Sequence, residues 1–152
     1  MIIFDKLPNS EPYLLFQEKY ESAKKMDQKN IEAISISSFN HEKNQVSSRF
    51  VNLKFIKNDQ WIFFTNYNSN KAEDFKSHNQ IYGIFYWGNI NTQIRINAFI
   101  EKTTVEFNEE YFKTRKKEKN ALAISSNQSK QISSFNDFVD RYKKVLKKDN
   151  LL

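Results

Sequence analysis

Cysteine is absent from the 152 residues, which excludes disulfides, thiolate metal sites and a cysteine nucleophile and suits a reducing compartment. Glycine occurs only twice, at Gly83 and Gly88, and proline only twice. A Gly-rich phosphate loop of the mononucleotide or dinucleotide kind is therefore ruled out, and any bound phosphate must be held mainly by side chains. The two histidines, His41 and His78, both lie in polar segments that read as turns, so a His-rich metal site or a Ser/His/Asp relay has little material. No stretch approaches the roughly eighteen consecutive apolar residues of a membrane span. Residues Met1 to Lys6 lack the charged-then-apolar pattern of a secretion signal. The expectation is a cytoplasmic protein.

What is present is apolar and aromatic. Hydrophobic residues make up 39% of the chain and aromatics 15%, with 14 Phe and 7 Tyr, too much for a disordered chain. The length suits one domain. The formal charge of +6 suggests an anionic partner, of which nucleic acid is a remote candidate. Much of the excess comes from Lys113, Lys116, Lys117 and Lys119 and from Lys143, Lys144, Lys147 and Lys148, which read equally well as solvated helix faces.

Periodicity orders the elements. Glu11 to Met26 reads as a helix, with Ser10 as N-cap, Pro12 in the first turn and Phe16, Tyr20 and Ala23 on one face. Ala33 to Ser37 and Ser48 to Ile56 alternate on either side of a polar turn around His41 to Asn44, predicting a hairpin. Trp61 to Thr65 is a further strand, and Ser69 to Lys76 a short helix with Ser69 near its cap. Ile81 to Trp87 and the run through Ile94, Ile96, Ala98 and Ile100 are strands, the latter with Gln93, Arg95, Asn97 and Glu101 on its other face. Asn108 can cap a helical turn holding Tyr111 and Phe112, and Phe135 to Leu146 carries an apolar stripe through Phe138, Val139, Tyr142 and Val145. Connections this short favour an antiparallel barrel or sheet, from about residue 31 to 105, flanked by helices.

Three segments carry more than periodicity: Arg49-Phe50-Val51-Asn52-Leu53-Lys54, Phe63-Phe64-Thr65-Asn66 and Ser69-Asn70-Lys71-Ala72. Together with Trp87, Gln93, Tyr111 to Arg115 and Ser126 to Ser129, and in this order and spacing, the sequence resembles the pyridoxamine 5′-phosphate oxidase family over roughly residues 12 to 146. The resemblance implies an antiparallel FMN-binding split β-barrel and a homodimer with FMN at its interface. It places Arg49 and Lys71 at the FMN phosphate. Phe50, Val51, Asn52, Leu53, Lys54, Phe64, Thr65, Ser69 and Gln93 fall along the rest of the cofactor site, and Gln128 and Ser129 reach it from the partner subunit. A guanidinium fork and an ammonium are apt phosphate donors. Taken singly, Arg49 and Lys71 also read as surface charges, Phe64 as core and Gln93 as the polar face of a strand.

The same resemblance implies pyridoxamine or pyridoxine 5′-phosphate as substrate, with Lys54, Tyr111, Arg115 and Lys119 around its phosphate. The implied reaction is hydride transfer from the substrate C4′ carbon to FMN, with reoxidation by dioxygen, giving pyridoxal 5′-phosphate. The cofactor would supply the difficult chemistry, which is how a chain so poor in His and Cys can be an enzyme. The sequence departs from the family pattern at Asn70, where an Arg is usual, and at Lys119, where a small hydroxyl residue is usual. Family members also continue into strands carrying a Trp, an Arg-x-His triplet and a further Arg, whereas this chain ends at Leu152. The resemblance therefore supports the FMN site more firmly than the oxidase activity, and a flavin-dependent oxidoreductase of another substrate is the alternative.

Overall fold

The computed structural model describes residues 1–126 and 131–148. They fall into two compact units. The first holds Met1–Thr65 and Asp74–Ile100, the second Asn66–Glu73 and the chain from Glu101 onward.

The first unit is a six-stranded sheet with a helix against it. In chain order it contains β1 (Ile3–Asp5), α1 (Glu11–Lys25), β2 (Ala33–Asn40), β3 (Gln45–Lys57), β4 (Gln60–Phe63), β5 (Gln80–Trp87) and β6 (Thr92–Phe99). The sheet order is β1-β3-β2-β5-β6, with β4 paired to β3 off this path. The expected antiparallel hairpins are present in β2–β3, β3–β4 and β5–β6, and β2 also pairs antiparallel with β5. One pairing is parallel: β1, which is too short to show a period, lies beside the end of β3, Ile3 against Phe55. Thirteen residues long, β3 pairs with β2 up to Asn52, with β4 from Leu53 and with β1 from Phe55.

With so few glycines, the left-handed turn positions fall to other residues. Asn44, Asn58 and Asn91 take positive φ at the β2–β3, β3–β4 and β5–β6 turns, and neither glycine does. Asparagine tolerates this region because its short side chain can bond locally.

The core is aromatic. Phe16 of α1 packs on Trp61, Phe85 and Trp87 at ring separations of 4.5, 5.6 and 5.5 Å. Tyr20 lies edge-on to Phe4 and to Trp87, and its hydroxyl accepts a hydrogen bond from the Ile2 amide at 2.9 Å, fastening β1. The Trp87 indole N–H donates to the Ile31 carbonyl at 3.0 Å. Changing Trp87 to Phe is therefore expected to cost about 1–3 kcal/mol, the penalty for an orphaned buried acceptor, read as a lower thermal midpoint. An unchanged midpoint would show that the Ile31 carbonyl finds another donor.

The second unit holds α3 (Val105–Thr114), α4 (Lys117–Ser125) and α5 (Phe135–Leu146). Asn120 of α4 donates to the Phe112 carbonyl of α3 at 2.7 Å. The cap of α3 is Thr104, whose hydroxyl accepts from the Phe107 amide, not the expected Asn108. Asn108 lies inside the helix and accepts from the Thr103 hydroxyl at 2.6 Å. Thr104 has the extended backbone of a cap residue and stands directly before Val105, three residues ahead of the Phe107 amide it accepts from. A short helix, α2 (Asn70–Ser77), crosses the boundary between the units. Among the described residues, no helix is long and apolar enough to cross a membrane.

Candidate functional site

Alternation along β3 sends neighbouring members of the Arg49 to Lys54 motif to opposite faces of the sheet. Arg49 pairs with the buried Ile36 and is itself only partly exposed, whereas Phe50 pairs with Ser35 on the outer face and is 76% exposed. Asn52 shares the outer face, while Val51 and Leu53 turn to the core. The six residues therefore do not converge through their side chains.

Arg49 stands in a built polar cluster. Its guanidinium donates to the Asp74 carboxylate at 3.0 Å, to the Ser38 hydroxyl at 2.6 Å and, longer, to the Ile36 carbonyl. Asp74 is 4% exposed and also accepts from Ser38 at 2.9 Å and from Asn40 at 3.0 Å. Burial pushes its carboxyl up, but the hydrogen bonds from Asn40, Ser38, Arg49 and Ser47 outweigh burial and hold it below the usual range. The carboxylate is thus charged and fixed, and it aims the guanidinium. Ser38 and Asn40 alternate on β2 with a two-residue period, Arg49 comes from β3 and Asp74 from α2. The roles of Ser38, Asn40 and Asp74 were not legible in the sequence, because strand register and the placement of α2 together unite residues this far apart.

Lys54 sits where the β3–β4 register shifts between Leu53 and Phe55, a bulge of the kind that re-aims a side chain. Its ammonium meets the Glu32 carboxylate at 3.1 Å. The other Glu32 oxygen lies 3.4 Å from the Met1 amino group. Sequence reading missed Glu32, which carries no motif. Phe64 and Thr65 are half-buried just beyond β4, Phe64 edge-on to Phe55. Gln93 is exposed on β6 opposite Tyr86. The outer face of β2, β3, β5 and β6 carries Gln93, Arg95 and Asn97 together with Phe50, Tyr82, Tyr86 and Phe99, the first and last of these aromatics 76% and 74% exposed.

In the second unit, Ser69 is fully buried. Its hydroxyl donates to the Asn66 carbonyl at 2.7 Å and accepts from the Lys71 ammonium at 3.1 Å, and its carbonyl accepts from the Ala72 and Glu73 amides at the start of α2, near whose cap it is expected. Lys71 is 8% exposed, an unusual degree of burial for lysine. Arg115 lies near Tyr111 and the backbone of Lys119. The Arg115 guanidinium lies over the Tyr111 and Phe112 rings at 5.9 and 5.4 Å and donates to the Lys119 carbonyl at 3.3 Å. The Lys119 side chain is exposed on the rim of an open groove of about 290 Å³ between α4 and α5, lined otherwise by Glu118, Leu122, Phe138, Val139 and Tyr142. Gln128 and Ser129 lie outside the described residues.

The donor chemistry fits a phosphorylated flavin: a positioned guanidinium, a buried ammonium beside a hydroxyl, and an exposed amide on a strand face. No group of three or more His, Cys, Asp or Glu suited to a metal ion occurs among the described residues.

Comparison with known proteins bears on the same segments. The profile of the family described as pyridoxamine 5′-phosphate oxidase matches residues 16–149. A pyridoxine/pyridoxamine 5′-phosphate oxidase of Colwellia psychrerythraea is 32% identical over 133 residues, covering 88% of this chain and 61% of its own. A probable pyridoxamine 5′-phosphate oxidase of Schizosaccharomyces pombe is 33% identical over 150 residues, covering 95% and 65%. The chain thus spans a little under two thirds of the length of these curated relatives. Among solved structures, PhzG of Burkholderia lata, in complex with tetrahydrophenazine-1-carboxylic acid, superposes with a TM-score of 0.84 at 21% identity, covering 91% of this chain and 68% of that one. A pyridoxamine 5′-phosphate oxidase-related, FMN-binding protein of Nostoc punctiforme superposes with a TM-score of 0.69 at 11% identity, covering 87% and 73%. The fold is that of the split barrel, here an open sheet with flanking helices.

Proposed function

Because this chain belongs to the pyridoxamine 5′-phosphate oxidase family, we propose that it is an FMN-dependent oxidoreductase acting on pyridoxamine or pyridoxine 5′-phosphate. FMN is its cofactor. The observation that carries the reading is the Arg49 cluster: a guanidinium held by a buried carboxylate keeps fixed orientation and spare N–H donors for a phosphate oxygen. Lys71 adds a second cation, and its burial beside Ser69 lowers the cost of ordering it. When bound, FMN supplies the acceptor for a hydride from the substrate C4′ carbon, and dioxygen restores it. The protein's part is to hold and orient. Arg49 and Lys71 bind the cofactor phosphate, while Gln93 offers an amide to the flavin ring. Lys54, Tyr111, Arg115 and Lys119 offer three cations and a hydroxyl to the substrate phosphate.

The exposed aromatic face of β3, β5 and β6 supports a homodimer. Phe50, Tyr86 and Phe99 together are more apolar surface than a solvated sheet face ordinarily shows, and a second copy would cover it.

The test is an absorbance titration with FMN followed by turnover. Uptake of one FMN per chain, a dimer by light scattering and formation of pyridoxal 5′-phosphate with peroxide from pyridoxamine 5′-phosphate are expected. A chain that stays colourless with added FMN overturns the cofactor reading. An FMN-loaded dimer without product overturns only the substrate, leaving a flavin oxidoreductase of another substrate. The Glu32 carboxylate beside Lys54 favours that second reading.

A further inference from the structure

Lys54 is the substrate-phosphate cation of the proposed function, and the inference that follows rests on that reading. The lysine already has an anion of its own chain. Glu32 stands in the turn before β2, and its backbone carbonyl accepts from the Leu53 amide at 2.9 Å, which ties it to the strand that carries Lys54. Its carboxylate meets the Lys54 ammonium at 3.1 Å, both side chains about three-quarters buried, at 24% and 27% exposure. Burial pushes the Glu32 carboxyl up, but the hydrogen bond and charge of Lys54, with the Met1 ammonium, outweigh it and hold the group below the usual carboxylate range. The carboxylate is therefore ionised wherever the protein is folded at neutral pH.

An ammonium has three donors, so Lys54 can touch Glu32 and a ligand at once. The geometry does not block a phosphate, but the charge opposes it. A phosphate oxygen within hydrogen-bond distance of the ammonium lies only a few ångströms from the carboxylate, and repulsion at such range in a partly buried site is large. The repulsion doubles for a dianion and vanishes for a ligand without charge at that end. From this we infer that Glu32 is a specificity-determining residue: it cancels the charge of Lys54 and shifts the site away from dianionic phosphate toward ligands with little or no negative charge there.

The experiment compares two ligands on the FMN-loaded protein by calorimetry: 4-deoxypyridoxine 5′-phosphate, which lacks the oxidisable C4′ oxygen, and 4-deoxypyridoxine, its phosphate-free counterpart. Glu32→Gln keeps the shape and removes the charge. It is expected to tighten the phosphorylated ligand by roughly tenfold or more and to leave the other within about twofold. Glu11→Gln, an exposed loss of the same charge, is expected to move neither. If Glu32→Gln leaves the phosphorylated ligand unchanged or weaker, the inference is overturned, and Glu32→Ala checks that the amide itself does not interfere. Adding Lys54→Ala to Glu32→Gln separates the two failures. Loss of the gained affinity shows that Lys54 binds the phosphate. Unchanged affinity in the double variant overturns the Lys54 reading and the inference with it.

Discussion

Replacing Asp74 with alanine is expected to lower the folding stability by about 3–5 kcal/mol, the range for breaking a buried ion pair from one side, measured by urea unfolding followed through tryptophan fluorescence. The size follows from what the substitution strands. Arg49 keeps its charge but loses its carboxylate, and Ser38 and Asn40 lose a common acceptor. The penalty is that of uncompensated groups and not the net worth of one contact. The pH dependence has a definite sign. The folded Asp74 carboxyl titrates below its unfolded value, so its stabilisation is fully present above the unfolded value, near 4, and is lost as pH falls through the folded one. The gap between the native protein and Asp74→Asn is therefore expected to be widest near neutrality and to close in acid. A gap that stays constant down to pH 2 would show that the charge of Asp74 contributes nothing.

Arg49→Ala is expected to weaken FMN binding by roughly 10- to 150-fold, corresponding to about 1.5–3 kcal/mol for hydrogen bonds to a charged group, read from the flavin absorbance titration. It acts from the other side of the same pair. Asp74 retains Ser38 and Asn40 as donors, so the protein is expected to remain folded, and affinity can be measured. Arg49→Lys preserves the charge without the fork and is expected to recover only part of the affinity. Unchanged FMN affinity in Arg49→Ala would remove Arg49 from the cofactor site and leave it a structural partner of Asp74.

Much of the first unit is legible in one dimension because half-buried strands alternate. Ala33 to Ser37 and Thr92 to Phe99 show the two-residue period in the sequence and in the burial of the folded strand, whereas Gln80 to Trp87 shows it in burial alone. Phe135 to Leu146 is a helix with the limits its apolar stripe suggests. What escaped has physical causes. Three residues of β1 cannot display a period, and their place depends on Tyr20 and on the end of β3. Thr104 and Asn108 are both good caps, and the choice between them turns on where the chain leaves β6. For the candidate site, the motifs and their order singled out Arg49, Lys54, Lys71 and Gln93. They were silent about the residues behind those.

By itself, the sequence determined that this protein lacks thiol, Gly-loop and histidine-relay chemistry and that phosphate must be met by side chains. It also pointed to an antiparallel barrel or sheet and, through the resemblance of its motifs, to an FMN-binding family. Tertiary structure alone decided what those side chains are held by. Register sets Ser38 of β2 beside Arg49 of β3, and α2 closes the cluster with Asp74. The bulge at Lys54 and the turn at Glu32 bring a lysine and a glutamate 22 residues apart within 3.1 Å. Charge can be counted along a chain, but its cancellation is a matter of distance, and only the fold sets distance.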